Sequence, residues 1–175
     1  YNFIEEVPVK NTAGTKDYAE GVKPISNGLV IDHICRGEPE KDIREHLARI
    51  IRVLELHGKG GEWISSSRAE PGKMKGIIFR PGQDEPGLKK MKQLAALAPG
   101  CTVNMIKERK VVKKLKLRMP PRIYNFPNIA CGNPDCISHP SQGENVFAEF
   151  NRITGDKFKC KYCEKTHTFK EIWTQ

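Results

Sequence analysis

The chain has 175 residues, of which 30 are Lys or Arg and 21 are Asp or Glu, so its formal net charge is +9 with neutral His. This length allows one ordinary domain or two small ones and excludes a large catalytic barrel. Hydrophobic residues make up 38% of the chain, which is enough for small folded cores. Because the sequence shows no long apolar run and no signal-peptide pattern, we expect a soluble, cytoplasmic chain without a membrane segment.

The N-terminal part of the sequence predicts an arm followed by a strand. Residues 1–21 carry scattered apolar side chains without a sustained period, so we interpret them as an arm or linker. The Asn27-Gly28 pair predicts a turn. Residues 29–34, which are rich in β-branched side chains, predict the first strand.

Two helices are predicted from apolar side chains that recur at steps of three and four residues. The first begins at Pro39 and ends at Gly58, and the second begins at Leu88 and is closed by Pro99-Gly100. The apolar faces are Ile43, Leu47, Ile50, Ile51 and Leu54 in the first helix and Leu88, Met91, Leu94 and Leu97 in the second.

Four further strands complete the predicted order. Two short strands lie at residues 63–64 and 77–79, and a strand pair covers residues 102–106 and 109–115. The order is therefore βαββαβ plus a final strand. It is typical of an α+β, ferredoxin-like sheet that is covered by two helices on one face.

A domain boundary is predicted at Met119-Pro120-Pro121. Neither proline can donate a hydrogen bond to a sheet, and the residue before each proline is pushed into an extended conformation, so no regular element continues through this point. We therefore predict one domain at residues 22–118 and a second at residues 119–175.

The positive charge is concentrated near this boundary. Residues 107–122 carry eight basic groups and one acidic group, and 8 − 1 = +7 of the total of +9 lies there. Such a segment is typical of a solvated edge strand, of a nucleic-acid-binding stripe, or of a pocket in which two or three cations bind a nucleotide triphosphate. Composition alone leaves these interpretations open.

Four of the six cysteines form two pairs in the second domain. Cys131 and Cys136 enclose four residues, Cys160 and Cys163 enclose two, and 23 residues separate the pairs. Four thiolates in this pattern are typical of one structural Zn²⁺, which would stabilise a domain of roughly fifty residues that has too little core of its own. Two disulfides are the alternative, but a chain without a secretion signal favours reduced thiols. We predict a small all-β, zinc-ribbon-like module.

The remaining cysteines and nearby histidines carry no predicted catalytic role. No motif places a base beside Cys35 or Cys101, which we interpret as buried structural thiols. His139 and His167 lie near the cysteine pairs, but four sulfurs complete a structural site, so both are predicted to be solvent-exposed packing residues. The module shows no open metal position with a general base, so we do not expect hydrolysis there.

Several motifs together point to a known family, namely residues 30–34, 98–99, 102–106, 111–112, 114 and 121–123 and, in the cysteine module, residues 131–139 and 160–165. In these motifs the chain resembles the regulatory chain of aspartate carbamoyltransferase. They agree with the family in order and spacing over nearly all of the chain except its arm.

The resemblance implies a regulatory subunit that is not itself an enzyme and serves pyrimidine biosynthesis. Residues 22–118 would be a nucleotide-binding allosteric domain that pairs into a regulatory dimer, and residues 119–175 would be a zinc domain that docks on trimers of the catalytic chain. CTP, UTP or ATP would shift the holoenzyme between two states of different affinity. The alternative is a nucleic-acid-binding zinc-ribbon protein that uses residues 107–122.

The resemblance also implies a set of nucleotide-binding residues. Asp32 would accept a hydrogen bond from a ribose hydroxyl group, and His33 and Lys114 would face the phosphates. The base would be surrounded by Ile25, Asn104, Ile106 and Val111. Since Asp32 and His33 are neighbours on a strand, they can serve one site only where the strand end is irregular.

Two positions depart from the family pattern. The family usually has a nucleotide-contacting Lys in the strand that follows Gly76, where this chain has Ile78 or Phe79. Arg109 stands where an aromatic residue is common. The first departure predicts weaker contacts to the ribose or the base.

Overall fold

The computed structural model describes residues 3–9, 26–67 and 70–173. The chain divides into two compact units, Tyr1–Met119 and Pro120–Gln175, which we call the first and the second unit.

The described part of the first unit is a six-stranded antiparallel sheet with two helices. The strands are β1 (Ile4–Glu6), β2 (Gly28–Ile34), β3 (Gly61–Ser66), β4 (Met74–Pro81), β5 (Thr102–Lys107) and β6 (Lys110–Leu117), and the helices are α1 (Glu40–Val53) and α2 (Leu88–Leu97). The strand order is β1-β6-β5-β2-β4-β3. The four strands from β5 to β3 have the ferredoxin-like order, so the predicted α+β class is confirmed.

The helices pack against each other and against one face of the sheet. α1 lies on β3 and β4, and α2 contacts β6. The packing is close at Gly76, where an added Cβ atom would lie 2.9 Å from Leu47 Cδ2 and 3.0 Å from Ile43 Cγ2. The His46 side chain of α1 is hydrogen-bonded to the carbonyl oxygen of Leu97 at the end of α2. Neither described helix is long and apolar enough to cross a membrane.

The first helix ends earlier than its sequence predicts. α1 stops at Val53 rather than at Gly58, because Glu55 adopts a left-handed conformation with φ 54°. The amide of Leu56 then donates to the carbonyl of Ile51 at 3.0 Å, which closes the helix in a Schellman motif. A non-glycine residue in this role gives no sequence signal.

The strand pair β5–β6 turns one residue later than predicted. Glu108 and Arg109 form the two-residue turn with φ 48° and 64°, the positive values of a type I′ hairpin. Two hydrogen bonds hold the hairpin tip against the segment before β2. The amide of Arg109 donates to the carbonyl of Ser26 at 2.9 Å, and the amide of Glu108 donates to Asn27 Oδ1 at 3.2 Å.

The strand β1 lies within the segment interpreted as an arm. It pairs with residues 115–117 of β6. The sequence predicts no strand at Ile4–Glu6 because three residues are too few to show a period of two.

The described part of the second unit is a four-stranded antiparallel sheet. Its strands are β7 (Arg122–Tyr124), β8 (Glu149–Thr154), β9 (Lys157–Cys160) and β10 (Thr166–Thr168), in the order β10-β9-β8-β7. Phe150 and Phe158 are fully buried. Trp173 packs edge-on against Phe126, with ring centroids 5.1 Å apart. The predicted all-β module is confirmed.

Candidate functional site

Four cysteine sulfurs of the second unit converge on one point. The Sγ atoms of Cys131, Cys136, Cys160 and Cys163 all lie within 4.8 Å of one another. The Sγ–Sγ distance is 3.5 Å between Cys131 and Cys163 and 3.7 Å between Cys136 and Cys160. A tetrahedral Zn²⁺ with Zn–S bonds of about 2.3 Å requires sulfurs roughly 3.8 Å apart. The four side chains are free cysteines, which argues against two disulfides, and they fit one structural Zn²⁺.

Two tight turns present these sulfurs. In the first turn the amide of Cys136 donates to the carbonyl of Asn133 at 3.0 Å, and the amide of Asn133 points at Cys131 Sγ at 3.5 Å. In the second turn the amide of Glu164 donates to the carbonyl of Cys160 at 3.0 Å, and Glu164 itself has φ 64°. Each turn therefore aims two sulfurs at the same point.

Three of the four thiols have shifted pKa values. Burial raises the pKa of Cys131 and of Cys160. Burial acts in the same direction on Cys163, but hydrogen bonds from the Lys165 backbone and the Asn133 side chain outweigh it and lower the pKa of that thiol to about 7. Since thiolates are the metal-binding form, the lowered pKa of Cys163 favours metal binding at that side chain.

The prediction that His167 is solvent-exposed is wrong. The residue is 6% exposed, and its Nε2 atom lies 3.0 Å from the amide nitrogen of Gly132 and 3.6 Å from Cys131 Sγ. Because an amide can only donate, Nε2 accepts, so Nδ1 carries the proton that reaches the carbonyl of Lys165 at 3.1 Å. His167 therefore links the two metal-binding turns. His167 stands between two threonines on β10, and this alternation is the sequence signal that could have predicted its burial.

His139 has a different position. It is half-buried, and its Nδ1 atom accepts a hydrogen bond from the amide of Ser141 at 3.1 Å. This bond caps the short 3-10 helix Pro140–Gln142. His139 therefore stabilises the local chain and does not reach the sulfurs through any hydrogen bond described for it.

The irregular end of β2 brings two predicted nucleotide-binding residues together. The pairing of β2 with β4 shifts register between Ile31 and Ile34, and His33 has φ 59°. The amide of His33 donates to Asp32 Oδ1 at 2.6 Å, and His33 Nδ1 lies 4.0 Å from Asp32 Oδ2. A bulge of this kind lets neighbouring side chains serve one face.

Lys75 lies beside Asp32, and the sequence did not reveal this. Its Nζ atom is 2.9 Å from Oδ1 and 3.1 Å from Oδ2 of the carboxylate, and the two side chains are 12% and 6% exposed. Only the register of β2 with β4, in which Ile34 lies opposite Gly76, places the two residues next to each other.

The charges around His33 define a larger group. Burial lowers the pKa of the His33 imidazole, and the Asp32 carboxylate offsets this only in part. Three cations lower it further, namely Lys75, Lys114 and Arg36. His33 is therefore neutral at neutral pH. We call His33 and these three cations the cationic cluster, and it includes both residues predicted to face phosphates. Two of its cations have carboxylate partners, since Lys75 pairs with Asp32 and Arg36 lies 3.8 Å from Glu70.

Asn104 lies on the neighbouring strand β5. It pairs with Val30 of β2 on one side and with Lys114 of β6 on the other. The side chain is fully buried, and its Nδ2 atom donates to the carbonyl of Val30 at 3.3 Å. Its Oδ1 atom has no hydrogen-bond partner among the described residues. A buried, unpaired acceptor is rare and calls for an explanation such as a ligand.

The predicted base-contacting residues of β5 and β6 form an apolar group. Ile106 is buried, and Val111, its pairing partner, is half-buried. Phe79 belongs to the same apolar cluster, whereas Ile78 alternates to the opposite face. Ile25 lies outside the described residues.

Part of the charge of the basic segment 107–122 is neutralised by ion pairs. Three of its cations form ion pairs, Lys113 with Glu85, Arg118 with Glu5 and Arg122 with Glu149. Another, Lys114, belongs to the cationic cluster. This arrangement favours a pocket beside a solvated strand over a surface for nucleic acid.

Cys35 and Cys101 differ in burial. Cys101 is fully buried, and burial raises the pKa of its thiol, which agrees with a structural role. Cys35 is half-buried rather than buried, because it lies in the turn after β2 with φ 52°.

Two family models match the chain, one for each unit. The allosteric domain of the aspartate carbamoyltransferase regulatory chain matches residues 20–118, and the metal-binding domain of the same chain matches residues 121–173. The chain belongs to the aspartate carbamoyltransferase regulatory-chain family. The cationic cluster lies in the part that matches the allosteric domain, and the four cysteines lie in the part that matches the metal-binding domain.

Curated relatives fall into two groups of different length. Protein PyrBI of Treponema denticola is 49% identical over 175 residues, which cover 98% of this chain and 33% of that protein. Protein PyrBI of Thermotoga maritima is 37% identical, with 99% of this chain and 33% of that protein covered. The aspartate carbamoyltransferase regulatory chain of Methanococcus maripaludis is 34% identical over 145 residues, 82% of this chain and 90% of that protein.

The chain therefore spans about one third of the length of the PyrBI relatives. The shorter relatives are named regulatory chains and not catalytic chains. This naming agrees with the prediction that the regulatory chain is not itself an enzyme.

Proposed function

We propose that this regulatory chain binds nucleotide triphosphates in its first unit and docks on the aspartate carbamoyltransferase catalytic chain through its second, in the cytoplasmic pathway of pyrimidine biosynthesis. One observation carries the nucleotide part of the proposal. His33 and the Asp32–Lys75 ion pair lie at the end of β2, and Lys114 is the register partner of Asn104, whose buried Oδ1 atom has no described hydrogen-bond partner. Such a site offers charge at one end and a directional acceptor at the other.

The phosphates lie at the cationic end in this proposal. Lys114 and His33 are half-buried, so both retain access to solvent. Two or three converging cations suffice to bind a triphosphate. Asp32, fixed by its ion pair with Lys75, accepts the hydrogen bond from a ribose hydroxyl group.

The base lies against β5 and β6. Ile106 and Val111 provide the apolar wall, together with Phe79. Asn104 Oδ1 is buried without a described partner, and once the site opens to a base it accepts a hydrogen bond from the exocyclic amino group of cytosine or adenine. Uracil has no such group, so CTP and ATP fit this site better than UTP.

The second unit contacts the catalytic chain in this proposal. Its metal-binding turns display large apolar side chains directly beside the cysteines. Ile137, which follows Cys136, is 48% exposed, and Tyr162, between Cys160 and Cys163, is 41% exposed. Exposed apolar side chains of this size mark protein interfaces when they are grouped. The metal then sets the geometry of the contact.

A second copy of the chain pairs along β3 in this proposal. In the described sheet β3 is the terminal strand opposite β1. Its Trp63 side chain is 47% exposed. A strand edge with an exposed aromatic residue is where another sheet can join. Sedimentation equilibrium of the wild type and Trp63→Ala tests this pairing. The dimer of the variant should have the higher dissociation constant, and equal dissociation constants would contradict pairing along β3.

Calorimetry tests nucleotide binding. The wild-type chain should bind CTP and ATP, and Lys114→Ala should bind them about 10- to 100-fold more weakly, as expected for a lost hydrogen bond to a charged group. The matched control is Lys110→Ala, which removes an exposed lysine from the same strand. Equal affinities of the wild type and Lys114→Ala would contradict the site.

Co-sedimentation with an aspartate carbamoyltransferase catalytic trimer tests docking. The wild type should bind the trimer, and Tyr162→Ala should bind it more weakly while keeping its zinc. Carbamoyl transfer by the reconstituted complex, with and without each nucleotide, then tests regulation. If the zinc-loaded chain did not co-sediment with the trimer, the docking proposal would be wrong.

A further inference from the structure

The strand β1 extends the family's domain. Its residues Ile4–Glu6 pair antiparallel with residues 115–117 of β6. The family's allosteric-domain model begins only at residue 20, so β1 lies outside the part that this model describes. The sheet of this chain therefore carries a strand that the matched domain does not include.

The residue that follows this strand contacts the backbone of Lys114 directly. The amide of Val7 donates to the carbonyl of Lys114 at 2.9 Å, and the amide of Arg118 donates to the carbonyl of Phe3 at 2.8 Å. Without β1, the segment of β6 that carries Lys114 would be the edge of the described sheet, and such edges open locally at low free-energy cost. β1 therefore fixes the backbone of a residue that belongs to the cationic cluster.

The attachment of β1 is short. Phe3 is buried at 7% exposure and anchors one end of the strand. The Arg118 Nε atom donates to Glu5 Oε2 at 2.9 Å, but both side chains are about half exposed to solvent, so this ion pair contributes little. Within the described residues 3–9, Phe3 is the one buried side chain, Ile4 and Val7 are half-buried, and backbone hydrogen bonds join the segment to β6. A short strand at the edge of a sheet is a segment that can open locally.

We propose that β1 is a positioning strand for Lys114, and that its docking and the binding of a nucleotide triphosphate stabilise each other. The proposal rests on the proposed nucleotide site. Coupling between two binding events is reciprocal. A docked β1 therefore raises the affinity for a triphosphate, and a bound triphosphate holds β1 in place. A nucleoside has no phosphates for Lys114 to face, so its affinity does not depend on β1.

A matched pair of variants in the full chain tests the proposal. Val7→Pro removes the amide that donates to Lys114, and Val7→Ala keeps that amide while shortening the side chain. Calorimetry with CTP and cytidine, and with ATP and adenosine, should show that Val7→Pro weakens triphosphate binding about fivefold or more and leaves nucleoside binding unchanged. Val7→Ala should match the wild type. A loss that affected nucleosides equally would indicate a merely structural role and overturn the proposal.

Hydrogen exchange of the wild-type chain provides a test that does not depend on a variant. Saturating CTP or ATP should slow exchange of the Val7 amide, and Lys114→Ala should remove this protection. Unchanged exchange at Val7 with bound triphosphate overturns the proposal while the nucleotide site stands. A wild-type chain that binds neither triphosphate overturns both.

Discussion

The two units of the chain obtain their stability from different sources. The core of the first unit consists of many fully buried aliphatic side chains between a sheet and two helices, among them Leu29, Ile31, Ile50, Ile78 and Leu94. The second unit is about half as long, and its described sheet is built around Phe150, Phe158 and four cysteines. Stability is therefore spread over many contacts in the first unit and concentrated at one metal site in the second. A single substitution should therefore destabilise one unit and leave the other folded.

The largest effect is expected from the cysteine cluster. Cys163→Ala leaves three thiolates and an open position, which hold the ion poorly. Structural Zn²⁺ contributes an apparent binding free energy of about 10–16 kcal/mol to folding in small zinc domains. The second unit should therefore unfold while the first keeps its structure. Heteronuclear NMR spectra, assigned by unit, and zinc content per chain measure both outcomes.

Cys35→Ala is the matched control for this experiment. Cys35 lies in the first unit, away from the four sulfurs in sequence, so one zinc per chain should remain. If Cys163→Ala kept a dispersed spectrum for the second unit, the idea that this unit depends on its metal would be wrong.

The next effect, in the first unit, should be smaller and should leave the metal in place. Ile31→Ala removes a fully buried side chain and should lower the free energy of unfolding of this unit by about 2–5 kcal/mol. Val112→Ala, at a position that is 51% exposed, should change it by less than about 0.5 kcal/mol. Urea denaturation followed by circular dichroism, with zinc content as the second readout, distinguishes the variants. Zinc loss in Ile31→Ala would contradict independent stabilisation of the two units.

The same contrast explains what could be predicted from the sequence. The cysteine spacing and the periods of both helices are local signals, so the fold class and the metal cluster followed from them. Lys75 and His167 act through partners that are 43 and 35 positions away, Asp32 and Gly132, and only the tertiary fold brings them together. The strand β1 was missed because it is too short for a pattern. Glu55 ended α1 without a glycine, so the end of that helix was placed too late.

His167 should contribute less to the stability of the second unit than the metal-binding cysteines do. His167→Ala removes the acceptor for the Gly132 amide and the ring contact with Phe150, and the two losses together should destabilise the zinc-loaded unit by about 1–3 kcal/mol. His167→Gln keeps an acceptor and should recover part of the loss. Thermal unfolding of the second unit and the rate of zinc release to a chelator measure the effect. His139→Ala, at the cap of the 3-10 helix, is the control. An equal increase in the rate of zinc release in that variant would contradict the idea that His167 links the two metal-binding turns.

The smallest expected effect is the contribution of His33, in the first unit, to the pH dependence of triphosphate affinity. Burial holds the pKa of free His33 below its ordinary value, and a bound phosphate, being an anion, raises that pKa. The complex therefore binds more protons than the free chain, and triphosphate affinity should rise as the pH falls, by at most about tenfold for each unit of pKa change. Calorimetric titration between about pH 8 and about pH 6 measures the slope. Because the triphosphate also titrates in this range, the slope of His33→Asn isolates the imidazole. An identical slope in that variant would show that His33 does not face the phosphates.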